Sequence, residues 1–293
     1  MSPLWGRREF LGLLAASAFV RTARAAATPR IAAIDWAMLE TSVALGVMPV
    51  AATELIQFRA GAVEPTLPRS VADLGLRGAP NFELLQLSRP DLILISPFYT
   101  RYTSRLETIA PVFSLPFYVK GEPPFGKALA AVTALGQRLD RTEEAQRVLA
   151  ETEKALQTMR ARLAAFSGRP TYVINIGDAR HFRAFGSDSM FGDILGRLGL
   201  ANAWVDRSQF TFAAPVPIEN LAASPEARIV IVSDIPVEAR ESLRNSAIWR
   251  ALPAVRDGRV VELANVAPYG GIIAGRRFAR LLTEAMIARG DSL

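Results

Sequence analysis

Pro80-Asn-Phe-Glu-Leu-Leu-Gln-Leu-Ser-Arg-Pro-Asp-Leu-Ile-Leu94 is the stretch whose reading decides the fold. It places a helix start at Asn81, a glutamate at Glu83 and a short helix to Leu87. The run Asp91-Leu-Ile-Leu-Ile-Ser96 then follows, apolar on both faces as a covered parallel strand requires. A loosely similar phrase returns as Pro217-Ile-Glu-Asn-Leu-Ala-Ala-Ser-Pro-Glu-Ala-Arg-Ile-Val-Ile231, with Glu219 where the first has Glu83.

Working outward from the first phrase, strand-like runs alternate with helical text. Arg30 to Asp35 reads as a strand, Leu39 to Leu45 as a helix, Met48 to Thr53 and Val112 to Leu115 as further strands. Around the second phrase, Thr171 to Ile176, Arg228 to Ser233 and Gly258 to Glu262 read as strands, with a helix from Ser189 to Leu198. Between them, from Pro124 to Phe166, lies the longest helical text, with Leu129, Val132, Leu135 and Leu139 at helical spacing, then Thr142 capping a segment with Glu143, Glu144 and later Val148, Leu149, Leu156, Met159 and Leu163. The heptad is not sustained, so one side of a long packed helix fits better than a coiled-coil seam. The expectation is an α/β protein of two α/β lobes joined by one long linking helix, with the ligand cleft between the lobes. Its parts are an N-terminal lobe (26–122), a linking region (123–167) and a C-terminal lobe (168–293).

Residues 1–25 read as an export signal. Arg7-Arg8 precedes an apolar run from Phe10 to Val20, and Ala23-Arg24-Ala25 offers a small-x-small site, which predicts twin-arginine export and cleavage near Ala25. The apolar run is about half the roughly 20 residues a membrane span needs. Cleavage would remove four arginines and one glutamate, lowering the formal net charge from +6 to +3 and leaving 268 of 293 residues. The remaining arginines form no run, so nucleic acid is not an expected partner. With no cysteine and a single histidine, His181, thiol chemistry and most histidine-built metal or triad sites are excluded.

Two lobes, the repeated phrase and a linking helix resemble the helix-linked, class III periplasmic substrate-binding proteins that serve ABC importers of siderophores, haem or cobalamin. Within that class the chain is most similar to the iron(III)-hydroxamate siderophore-binding family. The resemblance is carried by Arg30-Ile-Ala-Ala-Ile-Asp-Trp36, Leu74-Gly-Leu-Arg-Gly-Ala-Pro-Asn-Phe-Glu-Leu85, Asp178-Ala-Arg-His181, Phe185-Gly186, Asn202-Ala-Trp204, Ile248-Trp-Arg-Ala-Leu-Pro253 and Tyr269-Gly270. It implies a periplasmic, monomeric carrier and not an enzyme, with no cofactor or metal ligand of its own. The iron would arrive already coordinated by its siderophore, and the partner would be an inner-membrane permease with its ATPase.

The resemblance also implies a site. Arg77 and Tyr99 match the residues that hydrogen-bond the oxygens around the iron, a task suited to a guanidinium fork and a phenol. Tyr269 matches a pocket tyrosine of the second lobe and Trp36 a tryptophan at the cleft floor; either could instead be a core aromatic. His181 is better read as a structural hydrogen-bonding histidine. Glu83 and Glu219 match the surface glutamates that dock each lobe on the permease, against the plainer reading of first-turn helix glutamates. A glycosidase pair has no other support. Gly61, Thr211 and Ala267 stand where the family has further cleft tryptophans, which implies a wider or more polar cleft and puts ferrichrome in question more than hydroxamates as a class. Haem, cobalamin, ferric citrate or a catecholate remain the rival cargoes on this fold, and an exported enzyme the remote rival.

Overall fold

The structure, a computed structural model, describes residues 28–206 and 215–290. The signal-like segment 1–25 and Thr211 lie outside them. In the first lobe β1 (Ile31–Ala33), α1 (Trp36–Ala44), β2 (Ala51–Ala52), α2 (Leu55–Gly61), β3 (Ala72–Asp73), α3 (Phe82–Leu87), β4 (Leu92–Ile95), α4 (Thr103–Glu107) and β5 (Val112–Ser114) alternate. Every pairing is parallel and the order is β3-β2-β1-β4-β5. The direction of winding reverses between β1 and β4, which opens a crevice at the carboxyl ends of those two strands. Leu92 to Ile95 is wholly buried, because Leu92 and Leu94 face one apolar layer and Ile93 and Ile95 the other.

The second lobe contains β6 (Thr171–Ile176), β7 (His181–Ala184), α7 (Met190–Arg197), β8 (Val216–Pro217), β9 (Arg228–Val232), α8 (Val237–Asn245), α9 (Ala247–Ala251), α10 (Pro253–Arg256), β10 (Val260–Leu263) and α11 (Ile272–Arg289), the helix numbers leaving two for the linker between the lobes. Its sheet order is β10-β9-β6-β7-β8; β6, β9 and β10 run parallel, while β7 turns back antiparallel on β6 and on β8. The repeated phrase folds alike in both lobes up to a point. Asn81 caps α3 ahead of β4, whereas Ile218–Ala223 is a 3-10 helix ahead of β9.

The expected single linking helix is a pair, α5 (Phe125–Arg138) and α6 (Thr142–Arg162), α6 being the longest helix among the described residues. Asp140 turns left-handed at φ 56°, and the amide of Arg141 donates to Gly136 O at 2.7 Å, a helix stop that closes α5. A Cβ at Gly136 would stand 2.7 Å from that of Ala145, so the bare backbone is what lets the two helices meet. One apolar core joins the lobes: Ile31 and Leu94 of the first sheet, Val173 and Val230 of the second, and between them Leu39 of α1, Val132 and Leu135 of α5, Ile194 of α7 and Phe278 of α11.

Candidate functional site

The cleft floor is built where β1 and β4 end. Asp35 caps α1, its Oδ1 accepting from the amides of Ala37 (2.8 Å) and Met38 (3.1 Å), and Ser96 Oγ beyond β4 donates to its Oδ2 at 2.8 Å. Burial holds the Asp35 carboxyl above the usual carboxylate range, with those hydrogen bonds opposing it. The next residue, Trp36, is 9% exposed; its Nε1 donates to Thr53 O at 3.0 Å, and its ring meets Phe58 edge-on at 5.1 Å.

Arg77 lies over the Trp36 ring at 4.2 Å, a cation–π seat. Its Nε donates to Glu54 Oε2 at 2.6 Å and its amide to Glu54 Oε1 at 3.1 Å. Glu54 itself is left-handed (φ 52°), and its amide donates to Gly75 O at 2.8 Å, tying the loop after β2 to the loop after β3. Tyr99, half-buried in the 3-10 helix Pro97–Tyr102, completes this floor. Burial pushes its phenol up to about 12, aided by the Asp35 charge and opposed by the charge and hydrogen bond of Arg77. Tyr99 therefore stays a protonated donor at any ordinary pH.

The facing wall comes from the second lobe and from the segment between β5 and the linker. Tyr269, in the loop between β10 and α11, meets Tyr118 edge-on at 5.4 Å, and the Tyr118 hydroxyl donates to Gly270 O. Burial raises the Tyr269 phenol, while the charges of Arg183 and then Arg77 act to lower it, so this one phenol lies in the field of an arginine from each lobe. Arg77, Tyr99 and Tyr269 thus converge on one cleft, and Trp36 is the platform under Arg77 more than a wall of its own. Beneath them Glu40 of α1, fully buried, crosses to the second lobe: its Oε2 accepts from the amides of Gly271 (2.7 Å) and Ala274 (2.9 Å) at the start of α11. A Cβ at Gly270 would overlap the Glu40 carboxylate, so glycine is required there.

The remaining expected residues sit elsewhere. His181 holds a turn, its Nδ1 3.1 Å from each oxygen of Asp178, whose Oδ1 also accepts from the His181 and Arg180 amides. Glu83 and Glu219 are exposed in the first turns of α3 and of the 3-10 helix Ile218–Ala223. A Cβ at Gly61 would face open space, whereas Ala267 is 2% exposed within the core between the lobes. A separate groove of about 580 Å³ runs between α6 and α11, lined by Ala155, Met159, Ile273 and Arg276, and contains none of the expected site residues. Among the described residues no group of three His, Asp or Glu side chains could hold a metal ion.

Sequence reasoning missed Asp35, Glu54, Tyr118 and Arg183. Asp35 carried a usable signal, an aspartate directly before a helix. Glu54 carried none, since its role depends on a left-handed backbone.

Two α/β lobes over one shared core, with a polar and aromatic cleft at their strand ends, define a helix-linked solute-binding protein. The chain belongs to the periplasmic binding protein family, whose model matches residues 31–267. It is 32% identical over 289 residues to the iron(3+)-hydroxamate-binding protein FhuD of Escherichia coli, covering 97% of each chain. It is 22% identical to the Fe(3+)-citrate-binding protein YfmC of Bacillus subtilis, over 80% of this chain and 72% of that one. Its fold superposes with a TM-score of 0.82 on the Desferal-bound siderophore-binding protein FhuD of Vibrio cholerae, at 25% identity, covering 89% of this chain and 98% of that one.

Proposed function

We propose that this protein captures a ferric hydroxamate siderophore in the periplasm and delivers it to an inner-membrane ABC importer. The observation that carries the reading is Arg77 seated on Trp36 beside Tyr99 at the reversal point of the first sheet. Glu54 engages Nε of Arg77 and fixes the plane of the guanidinium, which also hydrogen-bonds the Tyr99 phenol, and its remaining Nη hydrogens are the donors toward hydroxamate oxygens. Tyr99 adds a neutral phenol donor and Tyr269 closes the cleft from the second lobe. The relatives named for hydroxamate and Desferal binding support this chemistry. No bond is made or broken; the siderophore keeps the iron's coordination, and the protein supplies outer hydrogen bonds and an apolar seat.

Residues 1–25 are the export signal in this reading, with cleavage near Ala25, and the mature monomer is divided as 26–122, 123–167 and 168–293. Glu83 and Glu219, one exposed carboxylate per lobe at equivalent places in the repeated phrase, dock the loaded protein on basic groups of the permease, which works with its ATPase. Titration of the mature protein with ferrichrome, ferrioxamine, ferric citrate, a ferric catecholate and haem, followed by tryptophan fluorescence, tests the cargo. Saturable quenching at micromolar or lower concentration by a ferric hydroxamate is expected; quenching by haem or a catecholate alone would overturn the assignment.

A further inference from the structure

The groove between α6 and α11 lies apart from the cleft, and all three parts of the chain line it: Glu64 of the first lobe, α6 of the linker and α11 of the second lobe. Its apolar lining is Ala155 and Met159, one helical turn apart on α6, and Ile273 on α11. All three are half-buried, and Met159 and Ile273 pack on the core shared by the lobes. Its volume of about 580 Å³ is within the range of small-ligand sites.

The charges of the lining do not balance. Four cations, Lys154, Arg276, Arg277 and Arg280, stand against two carboxylates, Glu64 and Glu151. Glu64 is taken by two of them, its Oε1 accepting from both Arg277 and Arg280, and Glu151 is 4.0 Å from Arg147, which is not part of the lining. Arg280 also meets Glu284 at 3.5 Å. Among the described residues, neither the half-buried guanidinium of Arg276 nor Nζ of Lys154 has a hydrogen bond or an ion pair. A guanidinium held beside apolar side chains gives up part of its hydration, and an anion on it restores the lost hydrogen bonds. Two uncompensated positive charges beside an apolar lining fit a doubly charged head that carries an alkyl chain.

We propose that this groove is a second binding site, for an alkyl phosphate: the phosphate on Arg276 with Lys154 beside it, and the chain along Ala155, Met159 and Ile273. The same chemistry is offered by a free single-chain phosphate and by a membrane phospholipid.

Calorimetric titration of the full mature chain with octyl phosphate, hexyl phosphate, inorganic phosphate and octyl glucoside tests the site. Octyl phosphate should saturate one site. Hexyl phosphate, two buried methylenes shorter, should bind about tenfold more weakly, and inorganic phosphate and the uncharged octyl glucoside weaker still. Arg276→Gln should weaken octyl phosphate by about tenfold or more and leave ferric hydroxamate binding in the cleft unchanged, while Arg77→Ala should leave octyl phosphate unchanged. Thermal melts check that both variants fold as the wild type does. Sedimentation with phosphatidylglycerol vesicles but not with phosphatidylcholine vesicles, lost in Arg276→Gln, identifies a membrane lipid as the occupant; octyl phosphate binding without vesicle capture identifies a free one. Octyl glucoside or inorganic phosphate binding as tightly as octyl phosphate, a loss in Arg77→Ala in place of Arg276→Gln, or no binding of octyl phosphate overturns the proposal, and none of these results touches the cargo of the cleft.

Discussion

Arg77 is held by three other residues: Trp36 underneath, Glu54 at Nε and Tyr99 alongside. Removing the guanidinium forfeits charge-assisted hydrogen bonds of about 1.5–3 kcal/mol, so Arg77→Ala should weaken a ferric hydroxamate by roughly ten- to hundredfold. Tyr99→Phe removes one neutral donor and should cost about fivefold, measured in the same fluorescence titration. Of this group the sequence identified Arg77, Tyr99, Trp36 and Tyr269 only through the family resemblance. Nothing in their spacing shows that Trp36 supports Arg77, since that contact depends on a left-handed Glu54 and on loops meeting from two strands. Arg183 was overlooked because β7 is four residues long and carries His181 and Arg183 among apolar neighbours, too short a run for its alternation to stand out.

Helix α1 and helix α11 are clamped by one carboxyl. Burial pushes Glu40 up to about 8, with the two α11 amides opposing the shift and the charges of Asp35 and Glu64 adding to it. A carboxyl whose folded pKa is raised binds protons that the unfolded chain has already released, so its presence costs stability progressively as pH rises from about 4.5 toward 8. Glu40→Gln keeps an acceptor for Gly271 and Ala274 without the charge. Urea denaturation should therefore show the variant gaining on the wild type between pH 5 and pH 8.5, by an amount on the order of a few kcal/mol. A difference that stays constant across that range would contradict the buried-charge account. At this scale the long elements were legible: β4, β6, β9 and α7 follow their apolar patterns within a residue or two. The restart of the linker at Thr142, with Glu143 and Glu144 in its first turn, was legible as well, but the full stop before it was not, because a left-handed Asp140 has no glycine to announce it. Helix α11 was also passed over; it is buried on several sides, and its apolar residues therefore lack a single clear stripe.

The two lobes share more than a linker. Besides the common core, Asn265 Nδ2 donates to Ala60 O at 3.1 Å, Glu64 pairs with Arg277 and Arg280, and Glu40 reaches α11. So many ties resist wide hinge opening, and crystal structures of the free and loaded protein should differ by a lobe rotation of only a few degrees; a rotation as large as that of a protein hinged on extended strands would contradict this. Recognition by the importer must then read the two lobes together. Glu83→Ala with Glu219→Ala should leave cargo affinity unchanged yet lower uptake of radioactive iron in reconstituted vesicles by tenfold or more, the scale of losing two charged contacts at one interface. The two-lobe plan was readable from the strand and helix runs on either side of the long helical text, whereas the sharing of one core was not, because it depends on α1, α5, α7 and α11 meeting in space.

The most direct test is a crystal structure of the mature protein with a bound ferric hydroxamate. The iron complex should lie at the carboxyl ends of β1 and β4, with its hydroxamate oxygens within hydrogen-bonding distance of Arg77 and Tyr99 and its far side against Tyr269. A complex seated instead in the groove between α6 and α11, or one that leaves Arg77 and Tyr99 without contact to it, would contradict the account.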